Sequence, residues 1–385
     1  MHRTKVRESA VASASKKQLR NAWLQVHKWI GLTLAILIIP ICLTGSALVW
    51  HDWLDAKLEP QRYAQYGEVA LAPSAYLDAA RGAIAPDERV STVRFGEGGG
   101  PVMVTAVKPP KGEGRPQRTN VWINPVDGKV IDQANASSGA VQVMHVLHGS
   151  MMIPGGWGRP IVGWVGAFMF ISCLTGIWLW WPLSGGVTSG LKWKRRNTTN
   201  ANIHYMTGFW VLIPLAMLSF TGAWISFPKV FSKFEQSSGP APDRSRAMRA
   251  RPLEATKLTP DAAIAGATPH ATGRLTALTL PTDQKAEWKV SFERDGGAPA
   301  DVTVDDDSGK VTPPKPPQPE TLARTMRRWH DGTGMGLGWQ IAIFLGGIIP
   351  AVLSVTGIII WWRSRGARAR SEAYRREKAA LQPAE

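Results

Sequence analysis

Four apolar runs constrain this chain more than any other feature: Trp29 to Trp50, Pro160 to Leu183, Phe209 to Phe227 and Trp339 to Trp362. The core of each carries no Asp, Glu, Lys or Arg. About 20 such residues, rising 1.5 Å each, cross a hydrocarbon layer of roughly 30 Å. Each run is therefore read as a transmembrane helix. The expected architecture is an α-helical integral membrane protein with spans at 29–50, 160–183, 204–227 and 339–362. The intervening segments 51–159 and 228–338 are long, polar and outside the membrane.

Charge orients this arrangement. The stretches 1–28, 182–203 and 363–385 hold 18 of the 45 Lys and Arg residues against four acids, and so +14 of the net +16. Basic tails and short loops stay on the cytoplasmic side. Both termini and the loop with Lys192, Lys194, Arg195 and Arg196 are therefore expected in the cytoplasm, in a bacterial inner membrane. A chain this basic invites a nucleic-acid reading, but its cations cluster beside span ends, where anionic lipid accounts for them.

Tryptophans mark the same boundaries. Trp23, Trp29, Trp50, Trp53, Trp157, Trp164, Trp178, Trp180, Trp181, Trp361 and Trp362 gather near span ends, where amphipathic rings prefer the interface. The first run exceeds the 7–15 residues of a signal-peptide core and no small-x-small cleavage site follows it, so it reads as a retained span. Only two cysteines occur, Cys42 and Cys173, both inside spans. A disulfide framework, a CxxCH attachment motif and a zinc pattern are thereby excluded.

The second half of the chain repeats the first. His27 precedes Thr44-Gly45 by 17 residues, and His204 precedes Thr221-Gly222 by the same interval. His148 precedes Thr175-Gly176 by 27 residues, and His330 precedes Thr356-Gly357 by 26. Between the spans, Asn124-Pro125-Val126-Asp127-Gly128-Lys129 matches Asp305-Asp306-Asp307-Ser308-Gly309-Lys310, each a turn between two strands. One unit of helix, outer domain and helix is duplicated, with its symmetry axis along the membrane normal.

That symmetry turns four histidines into two facing pairs, His27 with His204 and His148 with His330. Ionisable residues inside a bilayer are rare and functional, and neutral imidazole is a common metal ligand. Two imidazoles approaching a planar macrocycle from opposite sides make bis-histidine axial ligation of haem iron, and four helices can enclose it. Without CxxCH the cofactor is non-covalent, so two haem b groups are expected, one near each membrane face. His145, three residues before His148, is an alternative outer ligand. His51 lacks a repeat partner, while His2 and His270 read as surface residues.

Other features read as framework. The Thr-Gly pairs let helices approach closely, and Pro40, Pro214 and Pro350 are positioned to kink their spans. Arg159, Arg327 and Arg328 flank the outer face, either as interface anchors or, for a bound haem, as propionate contacts. Short strand-like runs such as Val90 to Phe95, Val102 to Val107 and Trp288 to Phe292 predict a small α+β domain in each outer segment. Ser237 to Pro242 and Pro313 to Pro319 read as extended linkers. The Asp305-Asp306-Asp307 run reads as a turn.

The segments His27-Lys28-Trp29-Ile30-Gly31-Leu32, Leu147-His148-Gly149-Ser150, Asn202-Ile203-His204 and Trp329-His330-Asp331-Gly332, with the four Thr-Gly pairs, resemble PepSY-associated transmembrane proteins over residues 20–365. Within that family they are most similar to FoxB-type inner-membrane reductases of ferric siderophores. The resemblance implies PepSY folds for the two outer domains, two b haems, electron passage to the periplasm, and reduction of an imported Fe(III) chelate, such as a ferrioxamine-like hydroxamate, so that iron is released. Gly149 departs from the basic residue usual after the outer histidine, which leaves His145 and His148 both open.

Two other classes remain: a haem-free, membrane-anchored PepSY binding or regulatory protein, and a siderophore permease. The first gives no reason for four matched histidines, and the second lacks mid-membrane charge pairs. Quinol, flavin and a cytoplasmic reductase are the candidate electron donors. No Gly-x-Gly-x-x-Gly motif opens a helix, which puts the donor's cofactor on another molecule.

Overall fold

The computed structural model describes residues 2–109, 116–181, 187–193, 196–234, 250–294, 299–316 and 320–380. The linker expected at Ser237 to Pro242, the end of the one at Pro313 to Pro319, and Lys194 and Arg195 lie outside the described residues. In chain order the main helices are α1 (His2–Leu48), α2 (Pro73–Ala83), α3 (Ala140–Ser150), α4 (Gly158–Trp180), α5 (Thr199–Trp210), α6 (Leu212–Ser226), α7 (Pro260–Ala267), α8 (Leu322–Asp331) and α9 (Gly336–Ala380). The strands are β1 (Arg89–Arg94), β2 (Val102–Lys108), β3 (Gln117–Ile123), β4 (Val130–Asn135), β5 (Leu275–Thr279), β6 (Glu287–Phe292), β7 (Ala300–Asp305) and β8 (Val311–Thr312). They fall into two compact units: Met1–Trp50 with Met144–Gln236 and Glu320–Glu385, and His51–Val143 with Ser237–Pro319.

The first unit is helical. Lys17–Leu48, Gly158–Trp180 and Gly336–Arg376 are each long and apolar enough to cross a membrane. The third expected span is broken: Thr199–Trp210 and Leu212–Ser226 meet at a 66° bend and make a fourth crossing only if taken together. The cause stands in the sequence at Pro214, which has no N–H to give the Trp210 carbonyl and whose ring clashes with it. Pro40 and Pro350 lie inside unbroken helices. Helix α1 packs on α4 and α9, α4 on α6, and α9 on α5. Glycine permits the closest of these approaches: a Cβ on Gly347 would collide with Ser46 and the Cys42 carbonyl, and one on Gly163 would lie 2.6 Å from the Phe227 ring. The Arg20 guanidinium reaches the Leu179 carbonyl at 2.5 Å and that of Trp181 at 3.3 Å. It thereby satisfies acceptors that the last turn of α4 leaves open.

The second unit is built around one antiparallel sheet of order β4-β3-β2-β1-β5-β6-β7-β8. Each repeat supplies a four-stranded meander, and equivalent strands join the halves: Val93 pairs with Leu278, Thr92 with Thr279 and Arg94 with Ala277. The two small domains expected for the outer segments are thus halves of a continuous sheet. Its core runs across the seam, with Tyr76, Leu77 and Ala80 of α2 and Ala263 and Ala267 of α7 packed on Val93, Val104, Val121, Leu278, Val290 and Val302. The matched turns have the same form. Asn124 N–H donates to the Lys129 carbonyl at 2.8 Å and Asp305 N–H to that of Lys310 at 3.0 Å. Gly128 and Gly309 sit at φ 73° and 69°, where a side chain is disfavoured.

The acidic run is a turn with one buried tie. Asp305 accepts from Ser308 N–H and Oγ, at 2.8 and 2.6 Å. Asp307 pairs with Lys257 at 2.8 Å. Asp306, only 3% exposed, accepts from Trp288 Nε1 at 2.8 Å, Leu258 N–H at 3.1 Å and Lys257 N–H at 3.0 Å. This carboxylate is fully hydrogen-bonded, as burial requires.

Candidate functional site

Within the helical unit the four repeat-matched histidines meet as two pairs. The His27 and His204 rings have centroids 6.4 Å apart, with planes at 87°. Those of His148 and His330 are 6.0 Å apart, at 39°. His145, the alternative partner, lies exposed on α3, while His148 is the residue opposite His330.

Each ring is placed by local sequence. Thr198 caps α5 through Ala201 N–H at 3.3 Å, and buried Asn202 clamps the preceding turn by bonding both the N–H and the carbonyl of Arg196. This sets the helix on which His204 sits. Thr321 caps α8 through Arg324 N–H, and Gly332 ends it at φ 78° with its N–H on the Arg328 carbonyl. Between those stops, Met326 is buried and His330 follows four residues later, so both occupy one face.

Of the four Thr-Gly pairs, read from the sequence as packing devices, three hold a histidine through the threonine and all four bring the glycine against a ring. His27 Nδ1 lies 3.0 Å from Thr175 Oγ1 and 3.1 Å from the Ser172 carbonyl. His204 Nδ1 lies 3.0 Å from Thr356 Oγ1, and His330 Nδ1 3.0 Å from Thr221 Oγ1. His148 differs, its Nδ1 taking the Ile41 carbonyl at 2.8 Å. The accompanying glycines face the rings: an added Cβ would lie 2.6 Å from His148 Cε1 at Gly45, 3.1 Å from His330 Cε1 at Gly222, 3.3 Å from His27 Cε1 at Gly176 and 3.5 Å from His204 Cε1 at Gly357. The signal was present in the near-constant His-to-Thr intervals. Nothing in a one-dimensional pattern says that each histidine touches the Thr-Gly pair of the other span in its own repeat.

The arrangement fits a metal that brings its own equatorial ligands. With Nδ1 engaged on all four rings, Nε2 is the ring nitrogen left for a metal. Two imidazoles bound trans to one metal at about 2 Å per bond would put their centroids about 6.4 Å apart, and the observed separations are 6.4 and 6.0 Å. Among the described residues there is no group of three or more His, Cys, Asp or Glu placed to hold a bare ion. A cavity of 380 Å³ lies at the first pair, where Gly31, Gly176, Gly208 and Gly357 leave room and Leu32, Met169, Phe209 and Leu353 make it apolar. Among the described residues Lys28 is the only charged one lining it.

The remaining candidates serve elsewhere. Arg328 pairs with Glu320 at 3.1 Å. Arg159 Nη2 donates to the Ile225 carbonyl near the end of α6, at 2.5 Å. Arg327 is exposed on α8. His51 pairs with Asp52 at 3.0 Å and His270 is exposed. Cys42 and Cys173 are buried free thiols.

Fold and site together define a multi-pass membrane protein whose helical unit carries two facing pairs of histidines. The chain belongs to the PepSY-associated TM region family, whose model matches residues 24–364 and so includes all four histidines. No curated protein matches the chain.

Proposed function

We propose that this protein is a di-haem b reductase of the bacterial inner membrane that passes electrons outward to a ferric siderophore. The observation that carries the reading is the pair of opposed imidazoles, repeated twice, with Nδ1 occupied and Nε2 left for a metal. A haem iron held by two neutral imidazoles supplies one-electron transfer. The chain's own part is to hold four imidazoles in place, keep Nε2 unprotonated and surround the first pair with an apolar wall.

In this reading His27 and His204 hold the cytoplasmic-side haem, and His148 and His330 the periplasmic one. The basic tails put both termini in the cytoplasm. The acceptor is an Fe(III) chelate of hard oxygen donors, such as a hydroxamate. One electron converts its iron to the softer, weakly held Fe(II), which the chelator releases. Such a reaction needs no general acid or base, in keeping with a site built from histidine, threonine and apolar residues. The donor is a quinol, a flavin or a cytoplasmic reductase.

The test is a reduced-minus-oxidised absorption spectrum of the purified protein in detergent, with a pyridine assay of haem per chain. About two low-spin b haems per chain are expected. Protein expressed with ample haem supply yet holding none would refute the reading.

A further inference from the structure

Back-bonding of a threonine hydroxyl to its own helix is ordinary, and Thr33 and Thr207 do no more than that. Thr356 does the same, its Oγ1 donating to the Val352 carbonyl at 2.9 Å, with that of Leu353 at 3.1 Å. Thr221 donates to Met217 at 2.8 Å and Thr175 to Ser172 at 3.0 Å. A hydroxyl has one proton. Once that proton is spent on the helix, the oxygen offers only lone pairs to the imidazole 3.0 Å away. The ring nitrogen facing it must then be the donor.

We infer that Thr221 and Thr356 are positioning residues that lock His330 and His204 as Nδ1–H tautomers, and that Thr175 adds a second acceptor at His27, where the Ser172 carbonyl at 3.1 Å already makes Nδ1 the donor. Each hydroxyl leaves the lone pair on Nε2 and sets how electron-rich the metal ligand is. The inference rests on the reading of these histidines as haem ligands. It adds to that reading the device by which the chain keeps every ring in the competent tautomer.

The fourth site supplies an internal control. Thr44 Oγ1 donates to the Pro40 carbonyl at 2.6 Å, with that of Ile41 at 3.1 Å. His148 Nδ1 is held by the same Ile41 carbonyl at 2.8 Å. A carbonyl only accepts, so Nδ1 is again the donor, but here, with no threonine hydroxyl beside it, the backbone alone does the locking. Removing the Thr44 hydroxyl leaves that bond in place. Removing the hydroxyl of Thr356 takes an acceptor away from His204.

Outer partners of metal-bound histidines raise ligand basicity, and their loss typically costs 10–100-fold in metal affinity. A less basic imidazole stabilises Fe(III) less, so one midpoint potential should rise. The experiment compares Thr356→Val, Thr356→Ser and Thr44→Val in the full-length protein. Haem per chain and both midpoint potentials are measured by spectroelectrochemistry, and ring ¹⁵N shifts are recorded in haem-free protein with labelled histidine. Thr356→Val should raise one potential or weaken one haem 10–100-fold, and shift His204 away from the pure Nδ1–H form. Thr356→Ser should restore both, and Thr44→Val should match the unaltered protein. If the unaltered protein carries two haems and Thr356→Val changes neither potential nor affinity, the positioning role is wrong. If the unaltered protein carries no haem, the reductase reading fails by itself. The ¹⁵N shifts still decide the tautomer lock, which is overturned if His204 is the same with valine as with threonine at 356.

Discussion

Replacing Gly45 with alanine should destroy one centre and leave the other intact. The new Cβ would sit 2.6 Å from His148 Cε1 and 3.0 Å from its Nδ1. Carbon atoms rest about 3.5–4.0 Å apart, so the imidazole has to recede from α1 by about 1 Å. That displacement stretches the 2.8 Å bond to the Ile41 carbonyl to nearly 4 Å, beyond hydrogen-bonding range. It also carries the ring out of its 6.0 Å spacing with His330. A binding constellation tolerates about 0.5 Å of misplacement, so the His148–His330 centre should be lost, while His27 and His204 are untouched.

The other three glycines grade the effect. Gly222→Ala puts Cβ 3.1 Å from His330 Cε1 and should weaken the same centre, Gly176→Ala at 3.3 Å should be nearly tolerated, and Gly357→Ala at 3.5 Å is ordinary contact. In a helix interior alanine is better than glycine by about 1 kcal/mol, so general destabilisation would not produce this order. The assay is pyridine haemochrome per chain, with thermal unfolding of the haem-free protein alongside. One haem for Gly45→Ala and two for Gly357→Ala is the expected result. Two haems with an unchanged spectrum in Gly45→Ala, or more damage from Gly357→Ala than from Gly45→Ala, would refute the reasoning.

Val93→Ala and Leu278→Ala, across the seam of the sheet, should each destabilise the second unit by a few kcal/mol, and a double-mutant cycle should show a coupling of about 0.5–3 kcal/mol; purely additive effects in denaturant titration would argue for independent halves. Asp306→Ala strands Trp288 Nε1 and two backbone N–H groups, at a cost of about 1–3 kcal/mol for each buried group left unpaired, and hydrogen exchange at Lys257 and Leu258 should accelerate. Burial works to raise the Asp132 carboxyl, but the bonds from Arg62 and the Gln133 N–H outweigh it and hold the group below the usual carboxylate range. Its stabilising contribution is then complete above its unfolded pKa of about 3.9 and is lost as pH falls through the lower folded value, so acid melting curves of Asp132→Asn and the unaltered protein should converge below about pH 4.

What the sequence made legible follows from the range of the physics involved. Span existence depends on local composition, and Trp29 to Trp50 was readable for that reason. So were the strand–turn–strand segments around Gly128 and Gly309, where the turn chemistry is contained in six residues. A kink at Pro214 was legible too, but not that it would break the span with a 66° bend. Pro40 and Pro350 lie in helices that run on, so proline identity alone does not distinguish a kink from a break. The joining of two meanders into one sheet was equally hidden. Thr92 and Val93 carry no mark that their partners are Thr279 and Leu278, almost two hundred residues away.

The histidines show how the duplication divides this labour. Each ring is held inside its own repeat: His27 by Thr175, His148 by Ile41 and Gly45, His204 by Thr356, and His330 by Thr221. Each pair, in contrast, is made between repeats. One repeat therefore contains complete orienting shells for two imidazoles and half of each proposed metal site. Positioning is a property of the ancestral unit, and ligation is a property of the pair. That division explains why the intervals from histidine to Thr-Gly are held so nearly constant in both halves while the surrounding apolar residues differ. His148, whose Nδ1 has a backbone carbonyl and no threonine hydroxyl, still keeps a pairing distance of 6.0 Å from His330.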